Sequence, residues 1–200
     1  MADSLLYYWN ILKKLEPEDV QNRCLVKYVS ESNIYELNFL NEKYLFNMQE
    51  NKILRFPDNS EIKDFELILI ILYYLINAKE VEISDELVTS LNLKGGDLFF
   101  TGSHELPTYK LVEIFKDKPE FFLKSGVKLG GKQIKIGDAG FQVFAFPRIP
   151  MAYALWLGDD EIDANISILF DKTIDTHFPL DIILGLTNIV TKKICDNISP

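Results

Sequence analysis

Cysteine is scarce in this chain. Cys24 and Cys195 stand far apart and form no C-x-x-C pair. That argues against a disulfide scaffold, and against an iron–sulfur cluster or zinc ribbon held by this chain alone. Histidine is as rare, with only His104 and His177 available for a triad, and no G-x-S-x-G elbow occurs. Phosphate-cradling glycine loops are missing too. "LGGKQ" places Lys132 after two glycines but lacks the P-loop spacing and the magnesium-binding hydroxyl. No G-x-G-x-x-G follows a strand, so a Rossmann cofactor is not indicated. Positive charge is the minority, 21 Lys and Arg against 30 Asp and Glu, for a net −9. A cationic footprint is what nucleic acid and anionic membrane surfaces require, so neither is expected as a partner. Long apolar runs are absent. The longest, Leu67–Ile76, is too short to span a bilayer and reads as a buried helix. In Met1–Leu15 the lysines follow the apolar residues, unlike a secretory signal, and a cytoplasmic location is expected.

What remains is the composition of a folded protein. Apolar residues make up 48% and aromatics 12%, too much for a disordered chain. Two hundred residues suffice for one core or two small ones. Leu5, Tyr8, Trp9 and Leu12 have helical spacing, with Asp3 or Ser4 as cap, and Pro17 suits the start of a second short helix to about Cys24. The period then changes to two. Tyr35, Leu37 and Phe39, then Tyr44, Phe46 and Met48, then Ile53–Phe56 predict a three-stranded antiparallel meander. A long helix is expected over Ile62–Ala78, apolar nearly all round and therefore covered on more than one side. Ser84, Asp85 and Glu86 predict the start of another short helix that ends at "LKGGD". Helices follow in "ELPTYKLVEIFKDK" and from Pro119 to Gly130-Gly131. "FQVFAF", "MAYALWL" and "ISILF" read as strands, with Pro147 and Pro150 at strand ends or edges. Pro179 opens a last amphipathic helix to about Lys193. Without βαβ alternation this order predicts an α+β fold, antiparallel strand meanders packed with helices. One compact domain is expected, with lobes 1–60 and 61–200 as the alternative division.

The acidic stretch Asp159–Asp163 invites a test as a calcium loop. Counting from Asp159, the sixth place is Ala164 instead of Gly, and the twelfth is Phe170 instead of a bidentate Glu. The pattern fails at two of its most demanding positions. Asp159, Glu161 and Asp163 would share one face of an extended segment and so offer a different carboxylate site. The plainer reading is a solvated turn between two strands. His104, in "FFTGSHELP", is a loop histidine beside two phenylalanines. It is a candidate for a metal, a cofactor or a proton, set against a histidine bonded to a loop carbonyl. His177 reads as a residue leading into the last helix, a weaker candidate. Arg148, between two prolines, is a candidate clamp for a carboxylate or phosphate, or else pairs with an internal Asp or Glu. Trp156 is most simply core.

Four segments carry a resemblance: "LILIILYYLINAKE", "FFTGSHELP", "LGGKQIKIGD" and "FPRIPMAYALWLGDDEIDANISILFD". The last holds a Pro-Arg-x-Pro turn (Pro147, Arg148, Pro150) and a strand ending in Trp156. A Gly-Asp-x-Glu step (Gly158, Asp159, Glu161) and a Leu-Phe-Asp ending (Leu169, Phe170, Asp171) follow. Together they resemble the family called domain of unknown function 3786, over nearly the whole chain. Where that family usually has an aromatic after the Glu, this chain has Ile162. The resemblance implies a protein of anaerobic bacteria or archaea, linked to redox or corrinoid metabolism. Some members carry an N-terminal iron–sulfur segment, and this chain lacks its cysteines.

Three readings of function compete. The first is a protein that binds a small ligand or cofactor through His104, Arg148, Trp156, Asp159, Glu161 and Asp171. It requires these residues to converge, and loses its basis if they lie about 20 Å or more apart. The second is a metal-assisted acid/base enzyme using His104 with Asp159 or Glu161. The third is an accessory module that meets a redox or corrinoid protein partner through an exposed apolar patch. No metal, cofactor or oligomeric state is specified by the sequence.

Overall fold

A computed structural model describes residues 2–197. The chain begins with two helices, α1 (Ala2–Leu12) and α2 (Pro17–Cys24). Trp9 and Leu12 of α1 are buried, and Leu5 and Tyr8 pack against the core beside them, as the helical spacing requires. Because α1 already includes Ala2, Ser4 lies inside its first turn instead of capping it. The Asp3 side chain lies outside those described.

Five strands follow: β1 (Lys27–Val29), β2 (Ile34–Phe39), β3 (Glu42–Asn47), β4 (Lys52–Phe56) and β5 (Ser60–Glu61). They form one antiparallel sheet in sequential order. Tyr35, Leu37 and Phe39 of β2 and Tyr44 and Phe46 of β3 are buried, while residues between them are not, so the period-two pattern decides which face is covered. The flanking strands β1 and β5 extend the expected three-stranded meander at both edges.

The long helix α3 (Phe65–Asn77) begins later than expected, since Ile62 N still donates to Ile53 O of β4 at 2.9 Å. Asp64 caps it by accepting a hydrogen bond from Leu67 N at 3.1 Å. It packs against α1, α2 and α8 (Leu180–Asp196), which is why nearly every face of it is apolar.

The expected helix over Ser84–Leu93 does not form. Its place is taken by the edge strand β6 (Leu87–Thr89), a 3-10 turn (Ser90–Asn92) and the short helix α4 (Gly96–Phe99). Leu87, Val88 and Thr89 pair with Asp171, Phe170 and Leu169, so a sheet edge 80 residues away overrides a local capping signal. Helices α5 (Thr108–Phe115) and α6 (Pro119–Lys128) come next, then β7 (Lys132–Gln133), β8 (Ala139–Phe146), β9 (Ile149–Trp156) and β10 (Asn165–Asp171). The second sheet runs β6-β10-β9-β8-β7, all antiparallel, with β9 at its centre. The short helix α7 (Ile174–His177) leads into α8. Pro147 lies in the β8–β9 turn. Pro150 is the second residue of central β9, opposite Phe144, beside the register shift between Phe144 and Phe146. The ladder is irregular where proline cannot donate.

One hydrophobic core runs through both sheets. Leu40 N, in the β2–β3 turn, donates to Ala145 O of β8 at 3.0 Å. Phe146 lies 5.1 Å from Phe39 and stacks on Tyr74 of α3 at 4.3 Å. The helices α5 and α6 pack on the second sheet, α5 against β10 and α6 against β8, through the ring series Phe115, Phe122, Phe141 and Tyr153. A Cβ on Gly126 in mid-α6 would overlap the Phe141 ring, so this close approach requires glycine.

Candidate functional site

The six residues singled out by sequence do not meet. Arg148 precedes β9 and Trp156 ends it, a separation of about 26 Å at the usual strand rise. Asp171 ends β10 near the Arg148 end, while Asp159 and Glu161 lie in the loop beyond Trp156. His104 occupies an exposed 3-10 turn (Gly102–His104), where its ring stacks on Phe99 at 4.6 Å. Among the described residues no hydrogen bond or ion pair joins His104 to Asp159 or Glu161, and no cluster of three His, Cys, Asp or Glu is assembled to hold a metal.

Arg148 and Asp171 act on the backbone of their own protein. Arg148 donates from Nε to Arg23 O at 2.6 Å, from one terminal nitrogen to Val81 O at 2.9 Å and from the other to Asn22 O at 3.1 Å. Carbonyls at the end of α2, left without partners by helix geometry, thus receive a cation. The internal carboxylate that the sequence suggested does not occupy its fork, because all three donations go to main-chain carbonyls. Arg23 does the same one helix further on, donating to Ala78 O and Leu75 O at the end of α3. Asp171 is buried. Its Oδ1 accepts from Ser84 N, Thr173 N and Thr173 Oγ1 at 3.2, 3.0 and 2.6 Å, and Oδ2 accepts from Ser84 Oγ at 3.0 Å. Burial raises its pKa, but hydrogen bonds from Thr173 and Ser84 outweigh that and hold the carboxyl below the ordinary aspartate value.

His177, the weaker histidine by sequence, belongs to this same end. It is buried, and Nδ1 accepts from Lys79 N at 3.1 Å. The neutral ring therefore carries its proton on Nε2, which is buried without a hydrogen-bond partner. Burial, reinforced by the nearby Arg148 charge, pushes its pKa down to about 4. Together Arg148, Asp171 and His177 grip Val81, Ser84 and Lys79, the extended strap between α3 and β6. No local signal in "DTHFPL" reveals this, because the partner lies 98 positions away. Cys24 is equally structural. Its thiol points at Tyr74 O and Leu75 O, and burial pushes it up to about 12, far from a reactive thiolate.

The other end of the hairpin is wet. Asp159 Oδ1 accepts from Glu161 N and Ile162 N, both at 2.9 Å, and closes its own turn. Trp156 is not core: it is 48% exposed.

A cleft of about 770 Å³, within the range of small-molecule sites, lies elsewhere. Residues of β3–β5 and the first turn of α3 form one side, with α5 and α8 on the other. Lys110, Lys192 and Lys193 line the helical wall beside Asp196. Glu61, Asp64 and Glu66 line the same cleft from β5 and the start of α3, with Arg55 and Lys63, and Ile62, Leu67 and Ile189 supply apolar lining. Some of these charges are already engaged. Glu42 accepts from Lys193 Nζ and from Tyr44 Oη, both at 2.6 Å, and lies 4.0 Å from Arg55. Burial raises the Glu42 carboxyl, but the bonds from Lys193 and Tyr44 outweigh it and lower the pKa. Burial and the Glu42 carboxylate raise the Tyr44 phenol, so Tyr44 stays a donor. Arg55 also reaches Asp58 at 3.2 Å. Lys110, Lys192, Glu61 and Glu66 are held in no ion pair among the described residues. Burial, then the neighbouring Asp64, raises the Glu66 carboxyl. Gly185 of α8 leaves room for that carboxyl, since a Cβ there would stand 3.0 Å from Glu66 Oε1. Sequence reading did not find these residues, because five separate segments supply them.

These observations define an α+β protein with two five-stranded antiparallel sheets on a shared core, and no helix of the described residues is long and apolar enough to cross a membrane. Residues 16–193 match the model of the domain of unknown function DUF3786, and the chain belongs to that family. No curated protein and no solved structure matches it.

Proposed function

We propose that the protein binds a small zwitterionic molecule in the cleft between the β4–β5 edge, α3 and α8. The observation that carries this reading is a cleft lined by charges of both signs that form no ion pair among the described residues, Lys110 and Lys192 from α5 and α8 and Glu61 and Glu66 from β5 and α3. A ligand with a single charge would meet repulsion from the charges of its own sign, whereas a molecule carrying both signs is matched across the apolar lining. The binding role expected from sequence is thereby kept and its site moved. A setting in anaerobic redox or corrinoid-linked metabolism rests on the family resemblance alone and takes no part in choosing the site.

The test begins with native mass spectrometry and elemental analysis of protein purified without oxygen. Thermal unfolding then follows with matched sets of zwitterionic amino acids and betaines, monoanions and monocations. Zwitterions should raise the melting temperature, and a ligand at a hundred times its Kd adds about 2.7 kcal/mol. The double neutralisation Lys192→Gln with Glu66→Gln preserves net charge and should abolish the shift. A ligand-free mass together with no shift from any set would overturn the proposal and favour the accessory module.

A further inference from the structure

The β9–β10 hairpin tip holds the one part of the sequence-selected set that faces solvent with apolar side chains. Trp156, Leu157 and Ile162 are 48%, 43% and 69% exposed within seven residues. A groove of about 560 Å³ adjoins Trp156 and continues over Leu123, Ile134 and Ile136. The two parts form one built surface, because Asp138 Oδ2 accepts from Leu157 N at 2.8 Å and fastens the groove's loop to the hairpin. Exposed acids surround the apolar tip: Asp159, Asp160, Glu161 and Asp163. Their backbone contacts stay within the loop, and no ion pair neutralises them among the described residues.

We infer that this tip and groove dock a cationic amphipathic helix of a partner protein. Apolar anchors of that helix would lie against Trp156 and Ile162, and its Lys or Arg side chains would meet the four carboxylates. Charge complementarity decides the sign of the partner, since an acidic or neutral surface would leave these carboxylates partly desolvated without compensation. An anionic lipid surface is disfavoured for the same reason. This surface lies apart from the cleft, so the two proposals stand or fall separately.

Tryptophan fluorescence reads the docking directly, because Trp9 is buried at 3% exposure while Trp156 is open. The probe is a synthetic leucine–lysine amphipathic helical peptide, with its leucine–glutamate counterpart as control. The leucine–lysine peptide should shift Trp156 emission to the blue and protect it from acrylamide. Asp159→Lys with Glu161→Lys should weaken binding about tenfold or more, and Ile162→Ser should weaken it as well. Glu31→Lys with Glu105→Lys changes net charge equally but lies outside the loop, and should leave affinity within about twofold. Equal loss in both double variants would show attraction to the chain's overall charge and overturn the inference. So would equal binding of the acidic peptide, no shift with the basic one, or the same shift on zwitterionic lipid vesicles without peptide.

Discussion

At one end of the β9–β10 hairpin, Arg148 and Asp171 together hold seven hydrogen bonds, five to distant segments of the chain and two to neighbouring Thr173. At the other end, Asp159 bonds only to its own turn and Trp156 stands half in solvent. Both ends belong to the same family-like segment, and both carry an acid that invites a functional reading. Charge type does not separate them. What separates them is whether another element packs over the strand end. Where α2, α7 and the strap close over it, polar groups become fasteners. Where nothing closes over it, they are free to meet something else.

The two histidines repeat the contrast. His177 lies under the strap with one nitrogen accepting a backbone N–H. His104 lies in an exposed turn against one ring. A buried histidine and an exposed one should differ more in stability than in any other property.

The largest effect is expected from Arg148→Ala. It strips a cation from three carbonyls and should cost about 3 kcal/mol in urea unfolding. Arg148→Lys should recover less than half, because an ammonium lacks the planar fork. A loss below 1 kcal/mol would remove the distinction between the ends.

Next comes pH. The folded pKa of His177 is depressed to about 4, so the unfolded state binds more protons below the ordinary value near 6.5. Its contribution is therefore complete above pH 6.5 and lost as the pH falls towards 4, by about 2–3 kcal/mol. Stability measured from pH 7 to 4 should fall accordingly, and His177→Gln, which keeps an acceptor for Lys79 N, should flatten that slope.

Asp171→Ala should cost about 2 kcal/mol by leaving the Ser84 and Thr173 donors unmatched. Its folded pKa is lowered, so its contribution is complete above the ordinary aspartate value near 3.9 and fades only below it. Acid loss from Asp171 should thus follow that from His177, and Asp171→Asn should remove the later step.

The smallest effects belong to the open positions. Glu161→Gln and His104→Ala should each change stability by less than about 0.5 kcal/mol. Differential scanning calorimetry beside wild type is sufficient to check this. A larger loss at Glu161 would show a tertiary role that the loop's internal hydrogen bonds do not reveal.

Much of the fold was legible because it rests on local periods. The helical spacing of α1, the all-round apolar character of α3, the amphipathic pattern of α8 and the alternation of β2 and β3 each follow from which side chains must be covered. The short edge strands β1, β5, β6 and β7 were not legible, since two or three residues carry no period and form only beside a longer neighbour. Ser84 shows how this misleads. Its capping chemistry is real, but its hydroxyl serves Asp171, and the residues after it join a sheet.

Length, apolar content and net acidity bounded the class of molecule, and the change of period along the chain separated helices from strands. Family membership also lay within the sequence, because the Pro-Arg-x-Pro, Gly-Asp-x-Glu and Leu-Phe-Asp steps are contiguous text. The environment of each polar residue did not. Tertiary structure alone brought Lys79 to His177, Val81 to Arg148, and Lys192 to the same cleft as Glu66. Burial, partner and pKa depend on what lies nearby in space, and a chain that folds back on itself makes those neighbours from residues far apart in order.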